Sequence, residues 1–438
     1  GKMGIYFGTD GLRGIYGEEV TPSIAFKCGN SLSRYCENKK VVIGKDPRVT
    51  GDILALSMAN GLMQNGVDVI DVGMVTTPAV AFLTRSLGCD FGVVISASHN
   101  PPVYNGIKIF DSQGYKISEE TENSIERKFM FPVSVPYYKV GRYKFRPNLL
   151  QKYLQNVTES IDDLKGLKIV IDCGNGAASK MAKEVFKNLN ASVVMANFKT
   201  DGLSINDNCG ALYPEGMARL VKKEGADLGL SFDGDADRII ACDENGRLLD
   251  GDDILFILAN FYKSTNNFVV GTSLSNKGFE NALTKKGITL LRADVGDKYV
   301  IEIMKNKNIL LGGEPSGHII VKTYSTTGDG LLTGLLLANT IKKSGKPISK
   351  LVTYKKYPQI NINVPVIDKY RILNSDKLSG EILNLQQVFK NKGRVLVRAS
   401  GTESKVRIMC EHVNKSLALR SAVTLENIVK EINEKMMR

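Results

Sequence analysis

Three stretches of the chain repeat one hydrophobic pattern. In each, an apolar run of strand length is followed by a polar loop, an amphipathic helix and a second apolar run. The stretches are KKVVIGKDPRVTGDILALSMANGLMQNGVDVIDVG, LKIVIDCGNGAASKMAKEVFKNLNASVVMAN and NNFVVGTSLSNKGFENALTKKGITLLRAD. A strand, a crossover helix and a second strand are typical of α/β domains, so the pattern predicts three related α/β domains with mixed sheets and flanking helices.

The C-terminal part of the chain follows a different pattern. NVPVIDKYRIL, residues 363–373, has the composition of a linker, and KGRVLVRASGTESKVRIMCEHV then holds two β-rich runs around a short polar loop. A terminal helix is predicted from about Ser421 to Met437. We therefore predict α/β domains at residues 1–147, 148–250 and 251–364 and a smaller α+β domain at 365–438.

The segment that joins the first two repeats has no clear period. FMFPVSVPYYKVGRYKFRP, residues 129–147, mixes prolines, tyrosines and basic residues. This composition predicts a connection that leads into a helix beginning near Asn148.

Composition and charge narrow the class of protein. The chain of 438 residues is 43% hydrophobic and 24% charged, which is typical of a globular protein of several domains. Its formal net charge of +12 predicts a surface that attracts anions such as phosphorylated metabolites. The lysines are dispersed and no RNP-type aromatic pattern occurs, so we expect no nucleic-acid partner.

The spacing of the cysteines and the length of the apolar runs indicate the cellular compartment of the protein. No two of the seven cysteines form a close CxxC pair, which is typical of small core residues in a reducing compartment. The first residues contain no apolar signal region, and no run of about 18 apolar residues occurs. We expect a cytoplasmic protein with no membrane partner.

A serine and a histidine stand side by side in VVISASHNPPVYNGIKIF, residues 93–110. The apolar run predicts a strand that ends before Ser98 and His99, and Asn105 with Gly106 predicts a second turn before the next strand. Loops held by strands often carry chemistry, but Ser, Asn and Pro are also ordinary turn formers. The pattern leaves two interpretations of Ser98 open, a catalytic nucleophile and an ordinary turn residue.

Three aspartates occupy alternate positions in ADLGLSFDGDADRIIACDENGRLLD. Asp233, Asp235 and Asp237 lie between two apolar strands, the second of which turns at Asn245 and Gly246. Carboxylates crowded in this way repel one another in a low dielectric unless a cation neutralises them. The pattern therefore predicts a site for a hard divalent metal ion.

Three kinds of acidic loop compete here. An EF-hand would require a glycine where Arg238 stands, and helices where strands are predicted. An aspartyl-phosphate phosphatase would use Asp233 as its nucleophile. A magnesium site for phosphoryl transfer would leave the nucleophile elsewhere, and only this alternative makes use of Ser98.

Two glycine-containing segments carry weaker signals. GNGAAS, residues 174–179, resembles a dinucleotide-binding turn, but Ser179 takes the place of the third glycine, so a tight structural turn is favoured. FGTDGLRG places Arg13 between glycines in a predicted loop, where a guanidinium could meet an anion.

Two further loops carry groups that suit a sugar phosphate. GGEPSGHII brings Glu314, Ser316 and His318 together, and these groups can hydrogen-bond adjacent sugar hydroxyls. RASGTESKVRIM is suited to a phosphate dianion, although a charged hairpin is the alternative. The groups of that second loop are Arg398, Ser400, Gly401, Thr402 and Arg407.

SASHNP, DGDADR, GEPSGH and RASGTES resemble the four motifs of the α-D-phosphohexomutases, in the same order and over essentially the whole chain. The resemblance implies three related α/β domains and a smaller α+β domain around a central cleft. It also implies an intramolecular phosphotransferase of the isomerase class in which Ser98 carries a phosphoryl group. A hexose 1,6-bisphosphate would form and turn end over end, with Mg²⁺ held by the Ser98 phosphate and Asp233, Asp235 and Asp237.

The same resemblance assigns roles to the other residues. Arg13 and Lys108 would act in proton transfer or electrostatically, His99 would orient the phosphoserine, and Arg238 would lie at the edge of the metal loop. The sugar hydroxyls would be held by Glu314 and Ser316, with His318 beside them. The phosphate that is not transferred would be bound by Arg398, Ser400, Gly401, Thr402 and Arg407.

Within this family, FGTDGLRG, TDGLSINDNCG and VGDKYV are similar to the branch that interconverts glucosamine 6-phosphate and glucosamine 1-phosphate for cell-wall amino sugars. Asp297 stands where the branch acting on mannose and glucose phosphates usually has a histidine. Three residues depart from the family pattern: Pro315 replaces a common glutamine, and Ala399 and Ser404 replace common prolines. The implied activator is glucose or glucosamine 1,6-bisphosphate, and the implied assembly is a homodimer.

Overall fold

The computed structural model describes residues 6–262, 267–401 and 403–438. Two compact units are present, the first formed by Gly1–Leu274 with Leu291–Val352 and the second by Ser275–Leu290 with Thr353–Arg438. Within the described ranges the strands form sheets of seven, five, four and three strands. The four predicted domain ranges stay a prediction; the strand Gln359–Pro365 lies almost wholly in the predicted range 251–364 but belongs to the three-stranded sheet.

The seven-stranded sheet has the strand order β1-β2-β6-β5-β3-β4-β7. Its strands are β1 Phe7–Gly8, β2 Gly11–Ile15, β3 Lys40–Lys45, β4 Asp68–Met74, β5 Phe91–Ile95, β6 Tyr104–Phe110 and β7 Tyr143–Phe145. Its helices are α1 Pro22–Ser33, α2 Gly51–Gln64, α3 Thr77–Ser86 and α4 Glu119–Arg127. Strands β5 and β3 pair in parallel, whereas β5 and β6 pair antiparallel. Every residue of β5 is buried, which explains its continuous apolar sequence.

The five-stranded sheet has the order β12-β11-β10-β8-β9. Its strands are β8 Lys168–Asp172, β9 Ser192–Ala196, β10 Leu228–Phe232, β11 Ile239–Cys242 and β12 Leu248–Leu249. The helices of this part are α5 Leu150–Thr158, α6 Ala182–Asn188 and α7 Glu215–Glu224. Strands β10 and β11 form an antiparallel hairpin whose connection is the predicted metal loop.

The remaining elements complete the two units. The four-stranded sheet, in the order β14-β13-β15-β16, contains β13 Phe268–Thr272, β14 Thr289–Ala293, β15 Leu311–Gly313 and β16 Ile319–Val321. The helices of this region are α8 Gly251–Tyr262, α9 Lys277–Lys285, α10 Asp297–Lys307 and α11 Gly330–Ser344. The second unit also holds β17 Gln359–Pro365, β18 Gly393–Ala399 and β19 Lys405–His412, with α12 Lys369–Leu373, α13 Asp376–Phe389 and α14 Lys415–Met437.

The predicted strand–helix–strand repeats are confirmed. They are β3-α2-β4, β8-α6-β9 and β13-α9-β14, and the strands of the first two repeats pair in parallel. The two β-rich runs near the C-terminus form the antiparallel pair β18 and β19. The terminal helix begins at Lys415, earlier than predicted, where the side chain of Asn414 accepts a hydrogen bond from the backbone N–H of Leu417.

Two predictions of irregular structure were wrong, and a third was right in part. Asn105 and Gly106 lie inside β6 and form no turn, because they pair with Gly14 and Arg13 of β2. Glycine suits this position, since a side chain at Gly106 would meet the carbonyl oxygens of Leu12 and Ser96 at 2.7 Å. The supposed linker 363–373 contains the end of β17, which pairs with β19, and then α12. The segment 129–147 leads into α5, which begins at Leu150, close to the predicted start near Asn148; it also contributes the edge strand β7 beside β4, which was not predicted.

The seven cysteines are buried and free, in agreement with their interpretation as small core residues. Among the described helices, none has both the length and the apolar composition that crossing a membrane requires.

Candidate active site

The serine loop, residues 96–103, connects β5 to β6 and buries Ser98 to 2% exposure. The backbone of Ser98 adopts φ 53°, a left-handed conformation that is rare for residues other than glycine. Its hydroxyl donates to the carboxylate of Asp233 over 2.8 Å and lies 3.3 Å from Oδ1 of Asp237. The structure therefore brings the predicted nucleophile into the predicted metal loop.

The metal loop, residues 233–238, places its three aspartates on the turn of the β10–β11 hairpin. Their carboxylate oxygens lie within 4.8 Å of one another, and all three residues are buried. Burial, with the neighbouring charges of Asp237 and Asp235, raises the pKa of Asp233 well above its usual value. Burial also acts to raise the pKa of Asp237, but Lys108, His318 and Arg238 outweigh it and lower that pKa.

This donor set fits a hard divalent cation. Among the described residues, Oδ1 of Asp235 is buried and has no hydrogen-bond partner, although its other oxygen accepts from Thr77 over 2.6 Å. A buried carboxylate oxygen without a partner is costly, and oxygen ligands are those that Mg²⁺ prefers. The structure thus brings together Ser98, Asp233, Asp235 and Asp237, and their role as metal ligands stays a prediction.

Lys108 supplies a buried positive charge beside the metal loop. Its ammonium group lies 3.1 Å from Asp235, 3.6 Å from Asp237 and 3.7 Å from Asp10. Burial acts to lower the pKa of Lys108, but Asp10, Asp235 and Asp237 outweigh it and raise that pKa. The lysine is a fixed cation between the metal loop and the N-terminal strands.

His99, Arg13 and Arg238 gather on one side of Ser98. The Nδ1 atom of His99 lies 3.3 Å from the guanidinium of Arg238. Burial, followed by Arg238 and Arg13, lowers the pKa of His99 to about 4. Arg13 pairs with Asp10 at 2.6 Å, and it lies in strand β2 opposite Gly106, so the prediction that it lies in a loop was wrong.

The sugar loop, residues 314–318, connects β15 to β16 in the first unit. Glu314 accepts a hydrogen bond from the backbone N–H of Gly296 at 3.1 Å, and Ser316 is exposed. The imidazole of His318 lies 3.9 Å from Asp237 and 3.6 Å from Asp297. The sugar loop therefore reaches the metal loop through His318.

A cavity of about 600 Å³ opens beside these groups. Asp10, Lys108, Lys116, Asp297 and His318 all line it. Lys116 pairs with Asp10 at 2.8 Å and also with Asp297, the first residue of α10. Burial acts to raise the pKa of Asp297, but Lys116 and His318 outweigh it, so the group is held as a carboxylate.

The phosphate loop, residues 398–407, lies in the second unit between β18 and β19. Arg398 and Arg407 are cross-strand partners, and burial together with Arg407 lowers the pKa of Arg398. Ser400 is buried and accepts from the backbone N–H of Glu403 at 3.2 Å, while open space surrounds Gly401. The predicted contribution of Thr402 lies outside the described residues. Like charges opposite each other are destabilising, and a bound anion would relieve the repulsion.

Five residues with contacts at this site were not identified from the sequence. Asp10, Lys116 and Thr77 hold charged groups of the site, while Arg48 and Asn206 hold the backbone of the serine loop. Arg48 did carry a signal in the sequence, since KDPR places charged residues directly after a buried strand. Asn206 lies inside TDGLSINDNCG, the segment that resembles one branch of the family, but nothing in that segment indicates a contact with the serine loop.

The GNGAAS segment is a structural turn, as favoured. The backbone N–H of Ala177 donates to the carbonyl of Gly234 at 2.8 Å, so the segment supports the metal loop. Strands flank the aspartates on both sides, which removes the EF-hand alternative.

Comparison with protein families gives four matches in chain order. The matched models are phosphoglucomutase/phosphomannomutase alpha/beta/alpha domain I at residues 4–130, domain II at 151–246, domain III at 250–357 and the C-terminal domain at 361–428.

Individual proteins are similar over nearly the whole chain. A phosphoglucosamine mutase from Bacillus licheniformis is 43% identical over 445 residues, which cover 98% of this chain and 99% of that one. A crystal structure of a phosphoglucomutase/phosphomannomutase family protein from Burkholderia thailandensis shares the fold with a TM-score of 0.85, at 24% identity and 97% coverage of both chains. Aspergillus fumigatus N-acetylphosphoglucosamine mutase, solved in complex with GlcNAc-6P and magnesium, has a TM-score of 0.68 at 19% identity, with 99% of this chain and 96% of that one covered.

Proposed function

Because the chain belongs to the phosphoglucomutase/phosphomannomutase family of α-D-phosphohexomutases, and is therefore an intramolecular phosphotransferase of the isomerase class, we propose that it interconverts glucosamine 6-phosphate and glucosamine 1-phosphate. The observation that carries the proposal is the hydrogen bond of 2.8 Å from the Ser98 hydroxyl to Asp233 inside a buried group of three aspartates. The 43% identity to a phosphoglucosamine mutase over almost the full length supports the choice of sugar.

The reaction would proceed through a phosphorylated Ser98. The phosphoryl group leaves the serine oxygen and bonds to a free hydroxyl of the sugar phosphate, which loses its proton while the serine regains one. The resulting hexose 1,6-bisphosphate turns end over end. Its other phosphoryl group then returns to Ser98 by the reverse exchange, so the enzyme ends phosphorylated and the phosphate has changed position on the sugar. Added glucose or glucosamine 1,6-bisphosphate would act as an activator by phosphorylating free Ser98.

Asp233, Asp235 and Asp237, together with the Ser98 phosphate, would hold Mg²⁺. When bound, this ion would neutralise charge on the oxygens of the transferred group. Lys108 adds a fixed positive charge to the same region. Its ion pairs favour the electrostatic role over proton transfer, because its ammonium group already faces three carboxylates.

The groups around Ser98 would orient the phosphoserine. His99 lies beside Arg238 at the edge of the metal loop, where both can hydrogen-bond phosphate oxygens. Arg13 lies on the same side, and its Nε is buried without a partner among the described residues, so it has a donor available for the reacting hydroxyl or the phosphate.

The substrate would be bound by two loops. The sugar hydroxyls would be held by Glu314, Ser316 and His318 of the sugar loop. We assign the carboxylate of Asp297, which lies beside His318, to the ammonium group that distinguishes glucosamine from mannose and glucose. The phosphate that is not transferred would be bound by Arg398, Ser400, Gly401, Thr402 and Arg407. A cytoplasmic location and a homodimer complete the proposal, and neither follows from the geometry.

Phosphorus NMR of the protein with equal glucosamine 6-phosphate and mannose 6-phosphate, Mg²⁺ and a trace of hexose 1,6-bisphosphate tests the proposal. We expect glucosamine 1-phosphate to form much faster than mannose 1-phosphate. Faster formation of mannose 1-phosphate would retain the mechanism and overturn the assigned sugar. Release of inorganic phosphate alone would instead favour an aspartyl-phosphate phosphatase with Asp233 as its nucleophile.

A further inference from the structure

We propose that Arg48 and Asn206 are positioning residues for Ser98, which hold residues 96–100 from two sides so that the hydroxyl faces the three aspartates. The proposal rests on the proposed function, because it concerns the residue assigned there as the phosphoryl carrier. Neither side chain has a hydrogen bond to the Ser98 hydroxyl, so both would act through the backbone of the loop.

The backbone at Ser98 requires such support. At φ 53° the Cβ of an L-residue crowds the neighbouring backbone carbonyl, so this conformation is intrinsically unfavourable for any residue other than glycine. Strained residues of this kind persist only where surrounding contacts hold them. A return of Ser98 to an ordinary conformation would redirect its side chain away from Asp233.

The carbonyl side of the loop is held by two donors that share the same two acceptors. The carbonyl oxygen of Ser98 accepts from Nη2 of Arg48 at 3.1 Å and from Nδ2 of Asn206 at 2.8 Å. The carbonyl oxygen of Asn100 accepts from the same two nitrogens, at 2.9 Å and 3.0 Å. Each of these two nitrogens thus donates to both carbonyl oxygens, and the four hydrogen bonds together hold the turn that follows Ser98.

Arg48 also binds the end of the serine loop and, through Asp46 and Ser96, the backbone N–H of Ser98. Its Nη1 donates to the carbonyls of Pro101 at 2.5 Å and Tyr104 at 3.0 Å. Its Nε donates to Asp46 at 3.0 Å, and the same carboxylate oxygen accepts from Ser96 at 2.5 Å. Ser96 in turn accepts from the backbone N–H of Ser98 at 2.9 Å.

Both peptide groups that flank the Ser98 side chain are therefore fixed by one ion pair. The side chains of Arg48 and Asp46 are each 0% exposed. A planar guanidinium suits this task because it presents several donors in one rigid arrangement, which a lysine cannot reproduce.

Asn206 links the serine loop to the part of the chain that carries the metal loop. It lies between β9 and α7 of the five-stranded sheet, and its backbone N–H donates to Gly174 at 2.8 Å. A side chain at Gly234, inside the metal loop, would meet the Ser98 carbonyl at 2.5 Å and the Asn206 amide at 3.0 Å. Asn206 therefore binds the serine loop directly and lies close to Gly234 of the metal loop, so its loss is expected to change how the serine faces the aspartates.

This arrangement matters because phosphoryl transfer is catalysed mainly by positioning and electrostatics. A displacement of about 1 Å, caused by a residue outside the chemistry, can reduce a rate about a hundredfold. Loss of either donor is thus expected to slow the transfer without weakening sugar binding, since neither residue lines the cavity.

The test compares N206A with the matched variant N208A. Asn208 also has a positive φ and lies two residues away, but it is exposed and its side chain bonds only to Asp207 among the hydrogen bonds of the described residues. Single-turnover transfer from glucose 1,6-bisphosphate to Ser98 is followed by intact-protein mass spectrometry, and affinity for glucosamine 6-phosphate by calorimetry. We expect N206A to slow the transfer about 10- to 100-fold with its Kd changed less than about twofold, and N208A to behave as the unaltered protein.

R48K provides a second variant, since it keeps the charge beside Asp46 but loses the fork of donors, and it should slow the transfer at least as much as N206A. Equal transfer rates for N206A and N208A would overturn the proposal. So would a loss of affinity as large as the loss of rate, because that would indicate a general disturbance of the site. If the unaltered protein itself takes no phosphoryl group on Ser98, the proposed function fails instead, and the two failures remain distinct.

Discussion

The hydroxyl of Ser98 and the carboxylate of Asp233 are 2.8 Å apart, although 135 residues separate them in the chain. The contact joins the seven-stranded sheet to the hairpin of the five-stranded sheet. It places the proposed nucleophile at the edge of the proposed cation site, and most of the expected behaviour of the protein follows from that arrangement.

Ser98→Ala should abolish mutase activity, with a loss of at least about a thousandfold, because the variant has no oxygen to carry the phosphoryl group. The fold should persist, since the hydroxyl bonds only to Asp233 and Asp237 among the described residues. Activity is measured by glucosamine 1-phosphate formation, and folding by thermal unfolding. The control is S316A, an exposed hydroxyl whose loss should affect sugar affinity more than turnover. Phosphate release that survives in S98A would support Asp233 as a nucleophile.

Asp235→Asn should weaken Mg²⁺ binding at least about tenfold, because it removes charge from the group of three carboxylates. Calorimetric titration of Mg²⁺ measures the effect, and chelation of metal should abolish turnover of the unaltered protein. The matched control is D243N, a buried carboxylate that caps the following turn through the backbone of Asn245 and Arg247. Equal Mg²⁺ affinity in D235N and D243N would contradict the assignment of the metal site.

Gly234→Ala should slow the reaction by about tenfold or more, because the added Cβ would lie 2.5 Å from the carbonyl oxygen of Ser98. That clash forces the serine and metal loops apart. Gly216→Ala serves as control: Gly216 lies in α7, where only the end of Arg219 approaches within 4 Å, and alanine there should stabilise the protein by about 0.5–1 kcal/mol. Steady-state kinetics and urea unfolding measure the two effects. Unchanged turnover in G234A would show that the loops tolerate separation.

Asp297→Asn should reduce the preference for glucosamine 6-phosphate over glucose 6-phosphate by about tenfold, since the carboxylate is assigned to the ammonium group of the amino sugar. The ratio of kcat/KM for the two substrates is the measurement. E302Q changes another, exposed carboxylate of the same cavity and should leave the ratio unaltered. An equal loss with both sugars in D297N would assign Asp297 to the structure of the cavity, through Lys116, and not to sugar choice.

The ionisation of Asp329 should make the free energy of unfolding depend on pH. It caps α11, accepts from Tyr153 at 2.7 Å, and has its pKa raised by burial from 3.8 to about 6. A raised carboxyl pKa contributes stability that is fully present below pH 3.8 and lost as pH rises through 6. Asp329→Asn retains the cap acceptor but cannot ionise. As the pH rises through this window, the free energy of unfolding of the variant should therefore increase relative to that of the unaltered protein, by up to about 3 kcal/mol.

Urea unfolding at a series of pH values measures this difference. D368N removes the exposed carboxylate that caps α12 and controls for the loss of a capping aspartate. A difference that does not change with pH in D329N, or changes equally in D368N, would contradict the assignment of the titration to Asp329.

Much of this architecture was predictable because its signals are local. Hydrophobic period, glycine and proline positions and the alternation of Asp233, Asp235 and Asp237 identified the repeats, the hairpin and the metal loop. These features depend on residues a few positions apart, so they can be seen in the chain before it folds. The same local rules failed at Asn105 and Gly106, where turn-forming residues lie in a strand because they pair with a strand about 90 residues away in the chain.

The order of the elements and the candidate reactive groups can be read from the chain alone, since both are properties of short segments. Which distant groups meet depends on the folded structure: Lys116 pairs with Asp297 across 181 residues, and Asn206 binds the carbonyl of Ser98 across 108. No local pattern encodes these contacts, because they depend on how whole sheets pack. The positioning of Ser98 by Arg48 and Asn206 therefore becomes visible only in the folded protein.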